Sequence, residues 1–263
     1  MTDLITTRQR DHIFEIVLNR PDKRNALNRE MMDALAAAIE HAETIPGLRA
    51  VILRGEGVGF SAGIDVTDFM SAAERFGENW RENLFPLTAY YQGIVSKFEA
   101  SSLPVIALLH GFCLGMGMEL ALAADFRIVA GGTRIGLPET LLGLIPDVGG
   151  TTRLARLVGP ARAKEYIMTG RSMDLTDAER WGVVNHVVPA ADLLARGDAL
   201  ADELAQAAPL AVSYTKRVIN GITDAERGFQ LEGWAQSVLV RTEDFVNGVQ
   251  AVLTKQPVKW QGK

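Results

Sequence analysis

The sequence predicts an α/β fold in which buried strands alternate with helices and a helical tail closes the chain. Three observations carry this. Two short, wholly apolar runs, Ala50–Leu53 and Pro104–Leu109, read as strands covered on both faces. Each is followed by a glycine-rich loop and then by helix-forming sequence, so one unit of strand, loop and helix is stated twice. From about Ala190 the composition turns to Ala, Leu and Glu with few strand formers. The 263 residues, 48% hydrophobic and 22% charged, suit one large domain with an appendage: a core over 1–195 and a helical region over 196–263.

Element by element, His12–Leu18 (HIFEIVL) is the first strand, ended by Arg20-Pro21-Asp22. Asn28 caps a helix from Arg29 to about Ala42, in which Met31, Met32, Leu35, Ala38 and Ile39 recur at helical spacing. Ala50–Leu53 then runs into the loop RGEGVGFSAGIDV, and helical sequence resumes over Glu78–Glu99. In the segment Phe69–Leu87, the rings of Phe69, Phe76, Trp80 and Phe85 suggest an apolar lid. Pro104–Leu109 leads into a second glycine loop and a helix within GFCLGMGMELALAAD, residues 111–125. Asp125–Ala130 supplies another strand, Thr176-Asp177-Ala178-Glu179 fits a capping box, and Val183–Val188 ends the α/β portion. Pro209–Asn220, Thr223–Arg241 and Thr242–Thr254 read as the helices of the tail.

Composition removes several function classes. Net charge is -5, and Lys and Arg are scattered without a run longer than two, so nucleic acid is not an expected partner. Cys113 is the sole cysteine, which rules out an intrachain disulfide or a thiolate cluster. Histidines 12, 41, 110 and 186 are too dispersed for a local metal motif. The first twenty residues lack a signal-peptide core. Pro104–Ala124 is apolar enough to suggest a membrane span, but His110, Glu119 and three glycines mark it as a buried strand followed by a buried helix. A soluble cytoplasmic enzyme with no membrane partner is the expectation.

The chemistry centres on an isolated acid. Glu119 has apolar neighbours on both sides, and such a carboxylate is costly to bury unless it is paired, protonated or used. A strand that breaks into glycines before a helix exposes backbone N–H groups at the helix start. Two such loops on adjacent strands can aim two N–H groups at one oxygen and form an oxyanion hole. Glu139 and Asp147 follow, each near a proline or glycine turn and within apolar sequence, so all three acids are candidates for raised pKa values and proton transfer. A rival pattern is Gly59-Phe60-Ser61-Ala62-Gly63, which spells the G-x-S-x-G nucleophile elbow of serine hydrolases. The strand before it ends several residues too early, so the match reads as chance. A non-catalytic protein that binds a ligand or serves only as a scaffold is a further alternative, which the presence of both glutamates opposes.

Taken in order, the motifs resemble the enoyl-CoA hydratase/isomerase (crotonase) family over essentially the whole chain. They are NRPDKRNAL at 19–27, FSAGIDV at 60–66, HGFCLGMGMELALAADFRI at 110–128 and LPETLLGLIPDVGGTTRLARLVG at 137–159. GRSMDLTDAERWGVVNHVV and DFVNGVQAVLTKQ extend the match toward the C-terminus. The resemblance implies a spiral of ββα turns with a C-terminal helical trimerisation region, and a homotrimer or homohexamer. It implies an enoyl-CoA hydratase adding water across the 2,3 double bond, with coenzyme A as part of the substrate and no separate cofactor or metal. By position, the N–H groups of Ile64, after Ala62-Gly63 and before Asp65, and of Met116, after Gly115, match the oxyanion donors. Glu119 matches the carboxylate that activates water and Glu139 the one that exchanges a proton at Cα, while Lys23, Arg24 and Lys255 fall where the family meets CoA phosphates. Asp147 stands where many hydratases have glycine. Relatives resembling double-bond isomerases carry an acid there, which keeps an isomerase using Glu139 and Asp147 as the alternative.

Overall fold

Six strands make the main sheet of the computed structural model, which describes residues 3–207, 209–221, 233–234 and 236–257. In spatial order they are β1 (Ile5–Arg10), β2 (Ile13–Leu18), β3 (Ala50–Gly55), β4 (Val105–Leu109), β6 (Phe126–Ala130) and β8 (His186–Val188). β1 runs antiparallel to β2, and every other neighbouring pair is parallel. A small second sheet pairs β5 (Phe112–Leu114) with β7 (Arg134–Gly136) in parallel.

The apolar runs are buried on both faces, as their composition requires. Val51 and Leu53 of β3, with Val105, Ala107 and Leu109 of β4, join the larger apolar cluster. That cluster also takes in α1 (Arg29–Thr44) and α4 (Phe85–Ala100). The alternate residues Ala50, Ile52, Ile106 and Leu108 join a second cluster under α8 (Leu193–Ala205), which contributes Leu193, Leu200 and Ala201. This helix runs across position 195, where the core and the helical region were divided.

Asn28 caps α1 as read, its side-chain oxygen accepting from Met31 N at 3.0 Å. Three local readings need correction. β1 was not expected, because its face is almost wholly exposed (ITTRQR) and shows no apolar alternation; a charged edge strand of this kind resists further pairing. The helix expected from Glu78 starts only at Phe85, because Pro86 fits the first turn of a helix but not its interior. Two short helices, α2 (Val66–Met70) and α3 (Ala73–Phe76), precede it. The capping box at Thr176 does not form. Asp174 caps α7 (Leu175–Arg180) by accepting from Thr176 N and Asp177 N, and Glu179 instead accepts from Val187 N at 2.9 Å.

α5 (Met116–Leu122) is buried at all seven positions. α6 (Gly150–Thr169) breaks at Gly159, just before Pro160. α9 (Pro209–Gly221) and α10 (Glu243–Thr254, capped by Thr242) agree with the tail as read. Most of the helix expected over 223–241 lies outside the described residues. The stretch considered as a membrane span is β4, β5 and α5, and no described helix is long and apolar enough to cross a membrane. Because β3 and β4 are parallel neighbours, the loops at their C-terminal ends leave the same edge of the sheet, where parallel α/β sheets place their ligands.

Candidate active site

The first glycine loop is held as a strand-like segment between two partners. Ser61 N donates to Phe112 O at 3.2 Å, and Leu114 N donates to Ser61 O at 3.0 Å. On its other side, Leu27 N donates to Gly63 O at 2.8 Å and Asp65 N to Leu27 O at 2.9 Å. Amides in extended chain alternate in direction, so the Ile64 N–H between these two contacts faces away from Leu27. Met116 N is the first amide of α5 and has no carbonyl one turn back to bind. Among the described residues, neither amide donates to a protein acceptor.

Glycine is what lets the loops meet. Gly63 has φ +100°, and a Cβ there would lie 2.9 Å from Leu114 O and 3.4 Å from Met116 N. Gly115 has φ +54°, and its Cβ would lie 3.3 Å from Glu139 Oε1. A side chain at either position would be strained and would fill the space between the two amides and the acid.

Glu119, in the first turn of α5, is buried. Its Oε1 accepts from Val148 N at 2.8 Å and from Gly150 N at 2.9 Å. Gly150 begins α6 and Val148 lies just before its N-cap Gly149, so main-chain donors and a helix N-terminus both stabilise a negative charge here. The two arginines buried among the described residues bind other groups. Arg127 binds the carbonyls of Ala121, Ala124 and Val183, and Arg153 pairs with Glu99 at 2.7 Å.

Glu139 is the opposite case. It opens a short 3-10 turn, Glu139–Leu142, after β7. The residue is partly exposed as a whole, yet both carboxyl oxygens are shut off from solvent and have no hydrogen-bond partner among the described residues. Burial pushes its pKa up to about 8, and the charge of Asp147 adds to the rise. That rise favours the protonated form of Glu139, whereas Glu119 accepts from two backbone amides. Asp147 is tied to α4, its Oδ2 accepting from Thr88 Oγ1 at 2.9 Å and its carbonyl from Gln92 Nε2 at 2.6 Å.

One cavity of about 50 Å³ brings together Ile64, Met116, Glu119, Glu139 and Asp147. Phe69, Leu84, Leu87, Leu144 and Ile145 form its apolar wall, with Thr88, Tyr91 and Gln236 as further polar members. The space suits a few waters or a short acyl group, at roughly 10–15 Å³ per water. A larger cavity of about 690 Å³, lined by the C-terminal end of α5 and by α6 and α9, holds none of the expected site residues. Of its charges, Lys216 pairs with Asp125 at 2.7 Å and Arg153 with Glu99, while Arg127 binds backbone carbonyls.

Other expected residues frame the site without lining the cavity. Lys23 and Arg24 are exposed on a turn next to the first loop, where Arg24 O accepts from Ala62 N at 3.0 Å. Asp65 caps α2 and pairs with Arg20 at 2.6 Å. Burial opposes its charge, but the arginine and two backbone amides hold its pKa below the usual range. Lys255 is exposed at the end of α10. Of the lid rings, Phe69 lines the cavity and packs edge-on against Trp80, Phe76 packs on Tyr90, and Phe85 is 46% exposed and forms no lid. Ser61 is fully buried, its Oγ donating to Asn25 O and accepting from Gly63 N, so it braces the loop rather than acting as a nucleophile. Thr88, Tyr91 and Gln236 were missed. For the first two the signal was present: polar residues at i, i+3 inside the apolar stripe of α4.

The enoyl-CoA hydratase/isomerase family profile matches residues 8–263. A Bacillus subtilis protein, YngF, assigned by its name to that hydratase/isomerase class, is 36% identical over 98% of both chains. The carnitinyl-CoA dehydratase of Salmonella typhimurium is 35% identical over the full length of both. Among solved structures, a carnitinyl-CoA hydratase from Mycobacterium avium superposes with a TM-score of 0.87, at 31% identity over the whole of each chain.

Proposed function

Since the chain belongs to the enoyl-CoA hydratase/isomerase family and has the crotonase fold, we propose that it adds water across the 2,3 double bond of 2-trans-enoyl-CoA thioesters. The same steps in reverse dehydrate a 3-hydroxyacyl-CoA, the sense named for the Salmonella relative. The N–H groups of Ile64 and Met116 hold the thioester oxygen and stabilise the enolate, a contribution of about 3–4 kcal/mol per donor in comparable sites. A water sits between the two glutamates. Glu119 takes a proton from it as its oxygen bonds to Cβ, and Glu139 delivers its own proton to Cα. Each acid–base group is worth roughly 10²–10⁴ in rate. CoA is the substrate's carrier, and Lys23, Arg24 and Lys255 are assigned to its phosphates. A homotrimer or homohexamer is the proposed assembly.

One observation carries this reading: two carboxyls face one cavity in unlike surroundings, Glu119 accepting from two backbone amides and Glu139 buried with no donor to its oxygens among the described residues, which pushes its pKa up to about 8. Two carboxyls that must serve as base and acid need such a difference. The test is a panel of 2-enoyl-, 3-enoyl- and 3,5-dienoyl-CoA thioesters with wild type, Glu119→Gln and Glu139→Gln. Loss of enoyl-thioester absorbance is expected for wild type only, and hydration that survives both substitutions would overturn the assignment. A second reading, double-bond isomerisation by Glu139 and Asp147, is supported by the place of Asp147 on the same cavity and its electrostatic coupling to Glu139. Migration of the double bond without water uptake, abolished by Asp147→Asn, would favour it.

A further inference from the structure

α4 turns two polar side chains to the cavity that the proposed chemistry leaves without a task, Thr88 and Tyr91. Thr88 has a partner in Asp147. Among the described residues Tyr91 has none: the residue is 2% exposed, and its hydroxyl is sealed from solvent with no hydrogen-bond partner there. Leaving a buried hydroxyl unpaired is unfavourable, and such groups in native proteins call for an explanation, often a ligand. The ring is braced edge-on by Tyr90 at 5.0 Å, and Tyr90 is itself bonded to Asp33 at 2.6 Å. Burial first, then the charges of Asp68 and Asp147, keep the phenol protonated, so it offers a neutral O–H.

The charge of the cavity narrows what could pair with it. Its described wall carries three acids, Glu119, Glu139 and Asp147, and no lysine or arginine. An acyl chain ending in a carboxylate would enter beside like charge with no counter-charge in that wall. A hydrocarbon end would leave the Tyr91 hydroxyl unpaired. A substituent with hydrogens to donate suits both the phenol oxygen and the acidic surroundings.

We propose that Tyr91 determines substrate specificity by hydrogen-bonding a donor-bearing substituent, a hydroxyl or an ammonium, on a short acyl chain. The proposal deepens the acyl-CoA reading above and rests on it. Saturated acyl-CoA ligands, which cannot be hydrated, isolate the binding step in calorimetry on wild type and Tyr91→Phe. 4-Hydroxybutyryl-CoA is compared with pentanoyl-CoA, 4-(dimethylammonio)butyryl-CoA with 5-methylhexanoyl-CoA, and glutaryl-CoA supplies the carboxylate. Wild type should bind at least one polar ligand about tenfold more tightly than its hydrocarbon counterpart, with glutaryl-CoA weakest. The stronger of the two arms identifies the substituent. In Tyr91→Phe the ratio should fall to near one, whereas a purely structural role would move both members of a pair alike. Phe fills the same volume without the orphan hydroxyl, so the variant should fold, and a melting temperature no lower than that of wild type checks this. Ratios near one in wild type, as when Tyr91 binds only a water, would overturn the proposal, and so would a ratio that survives the substitution. Crotonyl-CoA hydration by wild type is measured in parallel: its absence beside an intact ratio would sink the reaction but not the recognition.

Discussion

Replacing Glu139 by glutamine should disable the enzyme and at the same time stabilise the fold, by an amount that depends on pH. The carboxyl is held in a site that supplies no partner to either oxygen, and burial raises its pKa from 4.5 to about 8. Between those values the native chain keeps a proton that the unfolded chain has released. Stability therefore falls as pH rises through that window and levels off above it. From 4.5 to pH 7 the window spans roughly 2.5 units, and at about 1.4 kcal/mol per unit the loss is on the order of 3 kcal/mol. Glutamine keeps the shape and does not titrate. The stability gap between Glu139→Gln and wild type should widen from a small offset near pH 4.5 to on the order of 3 kcal/mol at pH 7, then flatten above pH 8. Urea unfolding of both proteins at pH 5, 7 and 9, at one protein concentration, measures it. Hydration should fall by roughly 10²–10⁴ in the same variant, an active-site group traded against stability. Parallel pH dependences for the two proteins would refute the claim that Glu139 is buried with a raised pKa.

Glu119→Gln should lose activity by a similar factor with the opposite effect on stability: weakening two charge-assisted bonds, to Val148 N and Gly150 N, destabilises the fold by about 1–3 kcal/mol in denaturant titrations at pH 7. Gly150→Ala would place a Cβ 2.7 Å from Pro146 Cβ and 2.9 Å from Glu119 Cγ and Oε1. It is expected to cost about 1–3 kcal/mol and to lower kcat for crotonyl-CoA more than it raises KM. Wild-type kcat/KM should decline above about pH 8 as Glu139 loses its proton. Asp147→Asn removes a like charge, so that limb of the pH–rate profile should move to lower pH; an unmoved limb would mean the two acids are not coupled.

Local chemistry is legible in the linear chain because neighbours in sequence enforce it. Two apolar runs announced β3 and β4, Asn28 announced the start of α1, and the glycine loops announced exposed amides. Among the elements that were missed, the polar edge strand β1 and the three-residue strands β5 and β7 carry no strong pattern of their own; the helices α2, α3, α6 and α8 were not singled out either. The acids at 119, 139 and 147 could be picked out as anomalies among apolar residues, and the motifs around them resemble blocks with distinct roles, but the surroundings that would give them those roles are not written beside them.

Those roles come from contacts between distant segments. Glu119 meets amides 29 and 31 residues further along, and these suit the proposed base. Glu139 lies against Gly115, shut off from bulk solvent and with no donor to its carboxyl oxygens among the described residues, which suits the proposed acid. Tyr91 gains its meaning the same way, since helical periodicity marks it only as a core residue and the folded cavity shows its hydroxyl unpaired. Propensity and periodicity act over a few residues and so can be read along the chain. Desolvation and charge depend on everything within a few ångströms, and that neighbourhood exists only once the chain has folded.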